Sequence, residues 1–194
     1  MRKEVVFLLV IMVLASCKRE NIPGVNPPVL NVEYTDFNDR QIKFRDVFLA
    51  DLNKDGVNDL RFSTLLVGDP LLKRDYNRFY VTSSIDTYLP VNQQEEVPVL
   101  AKGSSISANS FNGYQWYNVS SILLAQKVIT ENNRPFWEGF WKDLNKKYLP
   151  VQVTKEHKRY YGWVEVSFDT LGENIIVHNG GICKEAGKEV KAGM

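Results

Sequence analysis

The stretch Arg159-Tyr-Tyr-Gly-Trp-Val-Glu-Val-Ser-Phe168 carries the clearest structural signal in the chain. Val164, Val166 and Phe168 fall on one face of an extended chain, and Glu165 falls between them on the opposite face. Successive side chains of a β-strand point to opposite faces of a sheet, so this period of two predicts a strand with one apolar face.

Short strand-like segments continue from Val29 to the C-terminus, separated by glycine, proline and asparagine. No segment has the 3.6-residue period of a long amphipathic helix. Residues 121–130 fit either a strand or a short helix, residues 89–99 indicate a connection or an edge, residues 101–113 a long loop, and Asn179-Gly-Gly a turn. We therefore predict one all-β domain over residues 29–194, a β-sandwich of jelly-roll-like form with a strand-flanked calcium loop.

That loop is Asp51-Leu-Asn-Lys-Asp-Gly-Val-Asn-Asp59, the one stretch whose spacing is typical of metal chemistry. Oxygen-bearing side chains occupy its positions 1, 3, 5 and 9, and glycine occupies position 6, where a sharp turn needs a residue without a Cβ. Ca²⁺ prefers such a set of carboxylate, amide and carbonyl oxygens. The predicted calcium ligands are Asp51, Asn53, Asp55, the carbonyl of Val57, and Asp59.

The three carboxylates of this loop repel one another unless a cation lies between them. Two unit charges 4 Å apart at an effective dielectric of 20 cost about 4 kcal/mol, and a divalent ion reverses the sign. The loop resembles the ion loops of FG-GAP blades, thrombospondin type 3 repeats and dockerins, which implies the ion but, with a single copy here, none of those folds. Phe62 at position 12 and the flanking strands exclude an EF-hand. The alternative is a solvated acidic turn stabilised by asparagine and glycine.

The first sixteen residues have the organisation of an export signal. Arg2 and Lys3 precede an apolar run over residues 5–14, which is too short to span a bilayer as a helix. Leu14-Ala-Ser-Cys17 resembles the lipobox of bacterial lipoproteins. The resemblance implies cleavage before Cys17, its acylation with chains such as palmitate, and anchoring at the outer membrane of the cell envelope. The alternative is an ordinary signal peptide with a chance cysteine.

The mature chain begins with a tether. Residues 17–28 hold the lipidated cysteine and a proline-rich linker. Removing 16 of the 194 residues leaves 178, with 22 basic and 22 acidic side chains and no net charge. Zero net charge gives no electrostatic reason to expect a nucleic-acid partner. With Cys17 lipidated, Cys183 has no cysteine to pair with, so no internal disulfide is expected.

The C-terminal third resembles a segment found near the end of many secreted bacterial β-domains of unassigned function. The residues that carry the resemblance are Tyr160-Tyr-Gly-Trp-Val-Glu-Val-Ser-Phe168, Ile175-Ile-Val177 and Gly187-Lys-Glu-Val-Lys-Ala-Gly193. Such domains often carry an acidic loop of the type at residues 51–59 upstream. The resemblance implies a β-domain and no particular activity.

Catalytic motifs are absent from the sequence, which has no Gly-x-Ser-x-Gly, no His-Glu-x-x-His and no glycine-rich phosphate loop. His157 and His178 are far apart in the chain and are interpreted as surface or turn residues. Glu138 and Asp143 lie beside aromatic residues and leave a glycoside hydrolase as the catalytic alternative. We expect no enzyme and no catalytic residue.

Aromatic residues supply a second functional hypothesis, a carbohydrate-binding accessory protein. Exposed indole rings stack on sugars, whereas tryptophan in a closed sandwich is usually core. The possible ligand-binding aromatics are Trp116, Trp137 and Trp141. The function expected from the sequence is a calcium-stabilised, non-catalytic lipoprotein domain. Its expected partners are the membrane, through the lipid, and either a glycan or another envelope protein.

Overall fold

The computed structural model describes residues 31–194. The predicted signal segment 1–16, Cys17, the tether and the predicted domain start at Val29 lie outside the described residues. Residues 31–194 contain no helix, and hence none that is long and apolar enough to cross a bilayer. The strands are β1 (Val32–Ile42), β2 (Val47–Ala50), β3 (Leu60–Asp69), β4 (Arg74–Ser83), β5 (Thr87–Val91), β6 (Ser105–Ile106), β7 (Gln115–Asn118), β8 (Ser121–Thr130), β9 (Phe136–Glu138), β10 (Lys147–Lys155), β11 (Lys158–Asp169), β12 (Asn174–Cys183) and β13 (Val190–Lys191).

Two antiparallel sheets pack face to face. The larger sheet has the strand order β1-β12-β11-β10-β5-β7, the smaller has β2-β3-β4-β8-β9, and β13 pairs separately with β6. Apolar side chains from both sheets fill the space between them, and Phe79 meets Phe168 edge to face with ring centroids 5.1 Å apart. The predicted all-β sandwich is therefore confirmed.

The larger sheet is covered on both faces, because a second apolar cluster lies on the face turned away from the sandwich core. Residues 161–168 of β11 are buried throughout as a result. The polar face predicted for this strand exists, but it is not solvated: Glu165 is 8% exposed and accepts hydrogen bonds from Tyr148 Oη (2.8 Å) and Asn179 Nδ2 (2.7 Å). Burial, together with the Glu165 hydrogen bond, raises the pKa of Tyr148 to about 12.

The turn predicted at Asn179-Gly-Gly is wrong. Strand β12 continues through these residues and pairs with both β1 and β11. A Cβ on Gly180 would lie 2.6 Å from Leu52 Cδ2, and one on Gly181 would lie 2.9 Å from the indole of Trp163. The glycines are needed because the side chains of Leu52 and Trp163 pack directly on the strand backbone. Such a close approach is a common reason for glycine inside a strand.

In three further segments the structure differs from the predicted class or decides between a strand and a helix. Residues 121–130 form strand β8, and the two-residue strand β6 interrupts the long loop expected over residues 101–113. The expected connection at 89–99 begins inside β5, where Pro90 is buried. The β10 ladder reaches only Thr87 and Tyr88, so the missing N–H of Pro90 falls beyond the paired residues on that side.

Replacing Gly162 tests the close packing of β11 on β12. A Cβ on Gly162 would lie 2.3 Å from the carbonyl oxygen of Gly181, so Gly162→Ala should lower the free energy of unfolding by about 2 kcal/mol or more. The matched control is Gly68→Ala on strand β3, where the nearest atom is a flexible Asp75 oxygen at 3.3 Å. The control should stay within about 0.5 kcal/mol of wild type. Urea unfolding of the two variants checks this, and equal losses would contradict it.

Candidate metal centre

The predicted metal loop is the connection of the β2–β3 hairpin. Ala50 and Leu60 are the last paired residues, and the Asp59 N–H donates to the Ala50 carbonyl at 2.8 Å. Gly56 has φ +86°, so the sharp turn expected at position 6 of the loop is present. The prediction that strands flank this loop is confirmed.

Three side chains of the loop turn their oxygens towards its backbone. Asp51 Oδ2 accepts the Gly56 N–H at 2.8 Å, and Asn53 Oδ1 accepts the Asp55 N–H at 3.1 Å. Asp55 Oδ1 accepts the Val57 N–H at 2.9 Å. Carboxylate and amide oxygens have two lone pairs each, so every one of these acceptors keeps a lone pair for a further ligand.

Asp59 links the loop to strand β5 of the larger sheet. Its side chain is buried, and Oδ2 accepts the Leu52 N–H at 2.7 Å while Oδ1 accepts the Thr87 hydroxyl at 3.0 Å. Its carbonyl also accepts the Ser84 N–H at 2.9 Å. The carboxylate therefore joins the start of the loop to β5, in addition to any contact it makes with an ion.

Electrostatics disfavour the charged form of Asp59. Burial raises the pKa of this carboxyl, the hydrogen bonds from Leu52 and Thr87 oppose the shift, and the charges of Asp51 and Asp55 add to it. The repulsion inferred from the sequence therefore acts within the folded loop. A cation placed among these groups would relieve it.

The loop is also fastened to the larger sheet. Leu52, at position 2, is fully buried and packs on Gly180 of β12. Lys54 Nζ donates to the Tyr34 carbonyl at 2.7 Å, and Thr35 Oγ1 donates to the Leu52 carbonyl at 3.2 Å. The loop therefore contacts both β1 and β12.

A cavity of about 340 Å³ opens on one side of the loop and gathers four of the five predicted ligands. Lys155 closes part of its wall, with Nζ 4.0 Å from Asp55 Oδ2. The fifth predicted ligand is Asp51. Its Oδ1 atom is buried and has no hydrogen-bond partner in residues 31–194. Leaving a buried carboxylate oxygen unpaired is costly, so a cation bound here would remove a penalty. The four ligands that line the cavity are Asn53, Asp55, Val57 and Asp59.

Acidic side chains alone do not form a metal cluster. Within residues 31–194, no group of three or more His, Cys, Asp and Glu side chains is placed to hold an ion. Both Asp59 oxygens accept a hydrogen bond, so the carboxylates that keep an oxygen without any hydrogen bond within residues 31–194 are Asp51 and Asp55. The remaining donors would be neutral oxygens, a set that suits Ca²⁺ at the weak end of its range, with a Kd of about 10⁻⁴–10⁻³ M.

The three tryptophans singled out from the sequence lie in packed environments. Trp141 is 2% exposed in the main core, which corrects its assignment as a possible sugar-stacking residue. Trp137 is half-buried and packs against both Phe79 and Phe168, with ring centroids 5.7 and 5.3 Å away. Trp116 is half-buried as well, and it packs on the Tyr161 ring with its Nε1 donating to the Ala108 carbonyl at 3.2 Å. Trp116 and Trp137 keep part of the ring exposed, so their role as ligand-binding residues stays a prediction.

Sequence reasoning missed a buried polar cluster around His178. This residue was expected at the surface or in a turn, but it lies on β12 with 8% exposure. Ser167 Oγ is 2.8 Å from its Nε2, and Asp39 Oδ1 is 2.5 Å from its Nδ1. The hydrogen bond with His178 holds the pKa of Asp39 below its ordinary value. The chain separation of 139 residues between Asp39 and His178 gave no local signal.

Hydrogen bonds connect an aspartate, a histidine and a serine here in the same order as in a hydrolytic triad. The serine hydroxyl, however, is not free to act as a nucleophile. Ser167 Oγ also accepts the Lys146 N–H at 2.9 Å and lies 3.1 Å from Asn145 Oδ1. A hydroxyl oxygen has one hydrogen and two lone pairs, so these partners and His178 use all of its positions. Ser167 is 5% exposed, whereas the Asp39 side chain is 77% exposed, the reverse of a triad. The cluster joins β1, β11 and β12.

The carboxylate pair considered for glycoside hydrolysis is not brought to one cleft. Glu138 lies on β9, accepts a hydrogen bond from Gln126 Nε2 at 2.8 Å and lines a cavity of the smaller sheet. Asp143 accepts from the Thr170 hydroxyl and lines a different cavity. A glycosidase needs both carboxyl groups at one glycosidic bond.

Removing the Asp59 carboxylate should destabilise the protein even without metal. In EDTA, Asp59→Ala leaves the buried Leu52 N–H unpaired and the Thr87 hydroxyl with only its contact to Ser84 Oγ (3.1 Å), so we expect a loss of about 2 kcal/mol in unfolding free energy. Asp55→Ala is the matched control, because Asp55 is exposed and its acceptor serves one exposed N–H. That variant should lose no more than about 0.5 kcal/mol under the same conditions. Chemical denaturation measures the unfolding free energy of both variants. Similar losses would refute the claim that the Asp59 carboxylate holds the loop against β5.

Comparisons of the chain with protein-family models, with curated proteins and with solved structures found no match.

Proposed function

We propose that this protein is a bacterial cell-envelope lipoprotein, anchored at the outer membrane through Cys17, whose β-sandwich binds Ca²⁺ in the loop of residues 51–59. The domain is non-catalytic and serves in binding or in structural support. The observation that carries the metal assignment is Asp51 Oδ1, a buried carboxylate oxygen without a hydrogen-bond partner in the described part of the chain. It lies in a loop whose other oxygens are already turned inward.

Calcium stabilises the folded state in this proposal because the unfolded loop does not hold the ligands together. At a free calcium concentration ten times the Kd, the stabilisation is about 1.4 kcal/mol. The ion neutralises Asp51 and Asp55 and lowers the cost of the buried charge on Asp59. A structural ion of this strength suits an exported domain for which no internal disulfide is expected.

The position of the loop fits an anchored domain. Strand β1 is the first strand of the described chain, and its residue Tyr34 accepts the hydrogen bond from Lys54 of the loop. The calcium loop therefore fastens the strand at which the chain enters from the predicted tether. A pull on the lipid anchor would act first on β1, the strand that the loop secures.

Two geometric observations favour a non-catalytic task. The hydroxyl oxygen of Ser167 has no open position, and Glu138 and Asp143 line separate cavities. Ser167, Glu138 and Asp143 each form hydrogen bonds within the domain, and these bonds suit a structural role.

Calcium should raise the melting temperature of the wild-type protein. With about 10 mM Ca²⁺ and a Kd of about 1 mM, a stabilisation of about 1.4 kcal/mol corresponds to a shift of roughly 3–6 °C for a domain of this size. Asp51→Ala and Asp55→Ala should abolish the shift, and Asp75→Ala on the distant strand β4 should retain it. Scanning calorimetry with Ca²⁺ and with EDTA measures the effect. Identical wild-type curves in the two conditions would overturn the calcium site.

The lipid anchor has an independent test. In a bacterial host, the full chain should incorporate an alkyne-labelled palmitate and partition with membranes, and Cys17→Ala should do neither. The matched control is Cys183→Ala, because Cys183 is buried in the domain and has no role in the anchor. Labelling that survives Cys17→Ala, or a wild-type protein found only in the soluble fraction, would exclude the lipoprotein assignment.

A further inference from the structure

A cavity of about 940 Å³ lies on the outer face of the smaller sheet, on the side away from the sandwich core. We call it the outer groove, and its volume falls at the upper end of the range of ligand sites. Strands β4, β8 and β9 form its floor, and the segment after β5 forms a wall. The residues that line it include Arg78, Tyr80, Gln126, Glu138, Phe140 and Lys142.

Three polar side chains form a row across the floor of the outer groove. Arg78, Gln126 and Glu138 are directly opposed on the three neighbouring strands. Arg78 Nε donates to Gln126 Oε1 at 3.0 Å, and Gln126 Nε2 donates to Glu138 Oε2 at 2.8 Å. This chain of hydrogen bonds fixes three planar groups at defined positions, and the Arg78 guanidinium is held further by the Tyr76 ring, 5.1 Å away.

The row keeps both donors and acceptors for a ligand. Within residues 31–194, the terminal nitrogens of Arg78 and the second oxygen of Glu138 form no hydrogen bond or ion pair. The free guanidinium N–H groups are donors, and the free carboxylate oxygen is an acceptor. A ligand that both donates and accepts at closely spaced positions would satisfy them together.

An exposed aromatic ring stands at the rim. Phe140 is 67% exposed, and its two neighbours fix its backbone. Gly139 has φ +115° and lies so close to β8 that a Cβ would meet Ala125 Cα at 2.6 Å. On the other side, Trp141 is buried and its backbone N–H donates to the Leu124 carbonyl at 3.2 Å. The backbone therefore holds the Phe140 ring at the surface instead of letting it collapse into the core.

The wall of the groove is internally braced. Asn92 Oδ1 accepts the N–H groups of Gln94 and Glu96 at 3.0 and 2.9 Å, and Asn92 Nδ2 donates to Glu96 Oε2 at 3.0 Å. Floor and wall are thus ordered without a ligand, which reduces the entropy cost of binding.

We propose that the outer groove binds a neutral oligosaccharide. Sugar hydroxyls donate and accept, which matches the free groups of the polar row, and the apolar face of a sugar ring packs on Phe140 and on the half-buried Tyr80. The charges of the lining residues are of both signs, with two basic and three acidic side chains, so the groove does not favour a polyanion. The inference rests on the proposed function only in that the domain is a binding domain.

The groove, and not the tryptophan set, is the sugar-binding surface in this proposal. Phe140 and Tyr80 carry the stacking contacts, while Trp141 stays in the core behind them. Binding to the groove requires no movement of the sandwich.

The test uses the detergent-solubilised full chain in affinity electrophoresis through gels that contain neutral α-glucan, β-glucan, mannan, galactan or xylan. We expect retardation by at least one polysaccharide, and an affinity at least tenfold lower for Phe140→Ala and for Gln126→Ala. The matched controls are Tyr117→Ala and Gln115→Ala on strand β7 of the larger sheet, both exposed and outside the groove. The controls should bind as the wild type does.

Three results would overturn the proposal: no retardation by any of the five polysaccharides, equal losses in the groove and control variants, or stronger retardation in a parallel gel that contains an anionic polysaccharide. Each variant is also melted with Ca²⁺ and with EDTA. A calcium shift that persists without sugar binding refutes the groove alone, and sugar binding without a calcium shift refutes the metal site alone.

Discussion

The buried carboxylate of Asp59 is the contact on which the β2–β3 hairpin depends. It accepts one hydrogen bond from the start of its own loop and one from Thr87 on the opposite sheet, so it joins both sheets at one end of the sandwich. A buried charge is tolerable only when its hydrogen bonds are satisfied. The loop must therefore keep its shape for the charge to remain buried, and that shape is the one on which the proposed calcium site depends.

The second constraint is the coverage of the larger sheet on both faces. Strand β11 has no solvated side over residues 161–168, so its polar residues must find partners inside the protein. Glu165 pairs with Tyr148 and Asn179, and Ser167 joins the cluster of His178 and Asp39. The same crowding requires Gly162 and Gly181, since each lacks the Cβ that the neighbouring strand or ring would meet. Ser167 and His178 thus become structural residues.

The smaller sheet differs because its outer face stays open. Its polar row and the exposed Phe140 are not needed to pair buried polar groups, unlike the polar residues of β11. The outer groove over them is ordered by local contacts of Gly139 and Asn92. In the function proposed above, the domain separates two tasks: one sheet buries both faces for stability, and the other keeps a face for a ligand. The loop proposed to bind calcium lies where the two sheets are joined and is distinct from the groove.

The sequence by itself determined the strand class and the loop, because alternation of apolar residues in β11 and the spacing of Asp51, Asn53 and Asp55 are local properties. It also located Gly56 at the sharp turn. Tertiary structure decided everything that depends on what lies across the sheet: the glycines of β12 inside a strand, the burial of Trp141 and His178, and the row of Arg78, Gln126 and Glu138. Those contacts join residues dozens of positions apart, and no period within one strand reports which face a distant segment will cover.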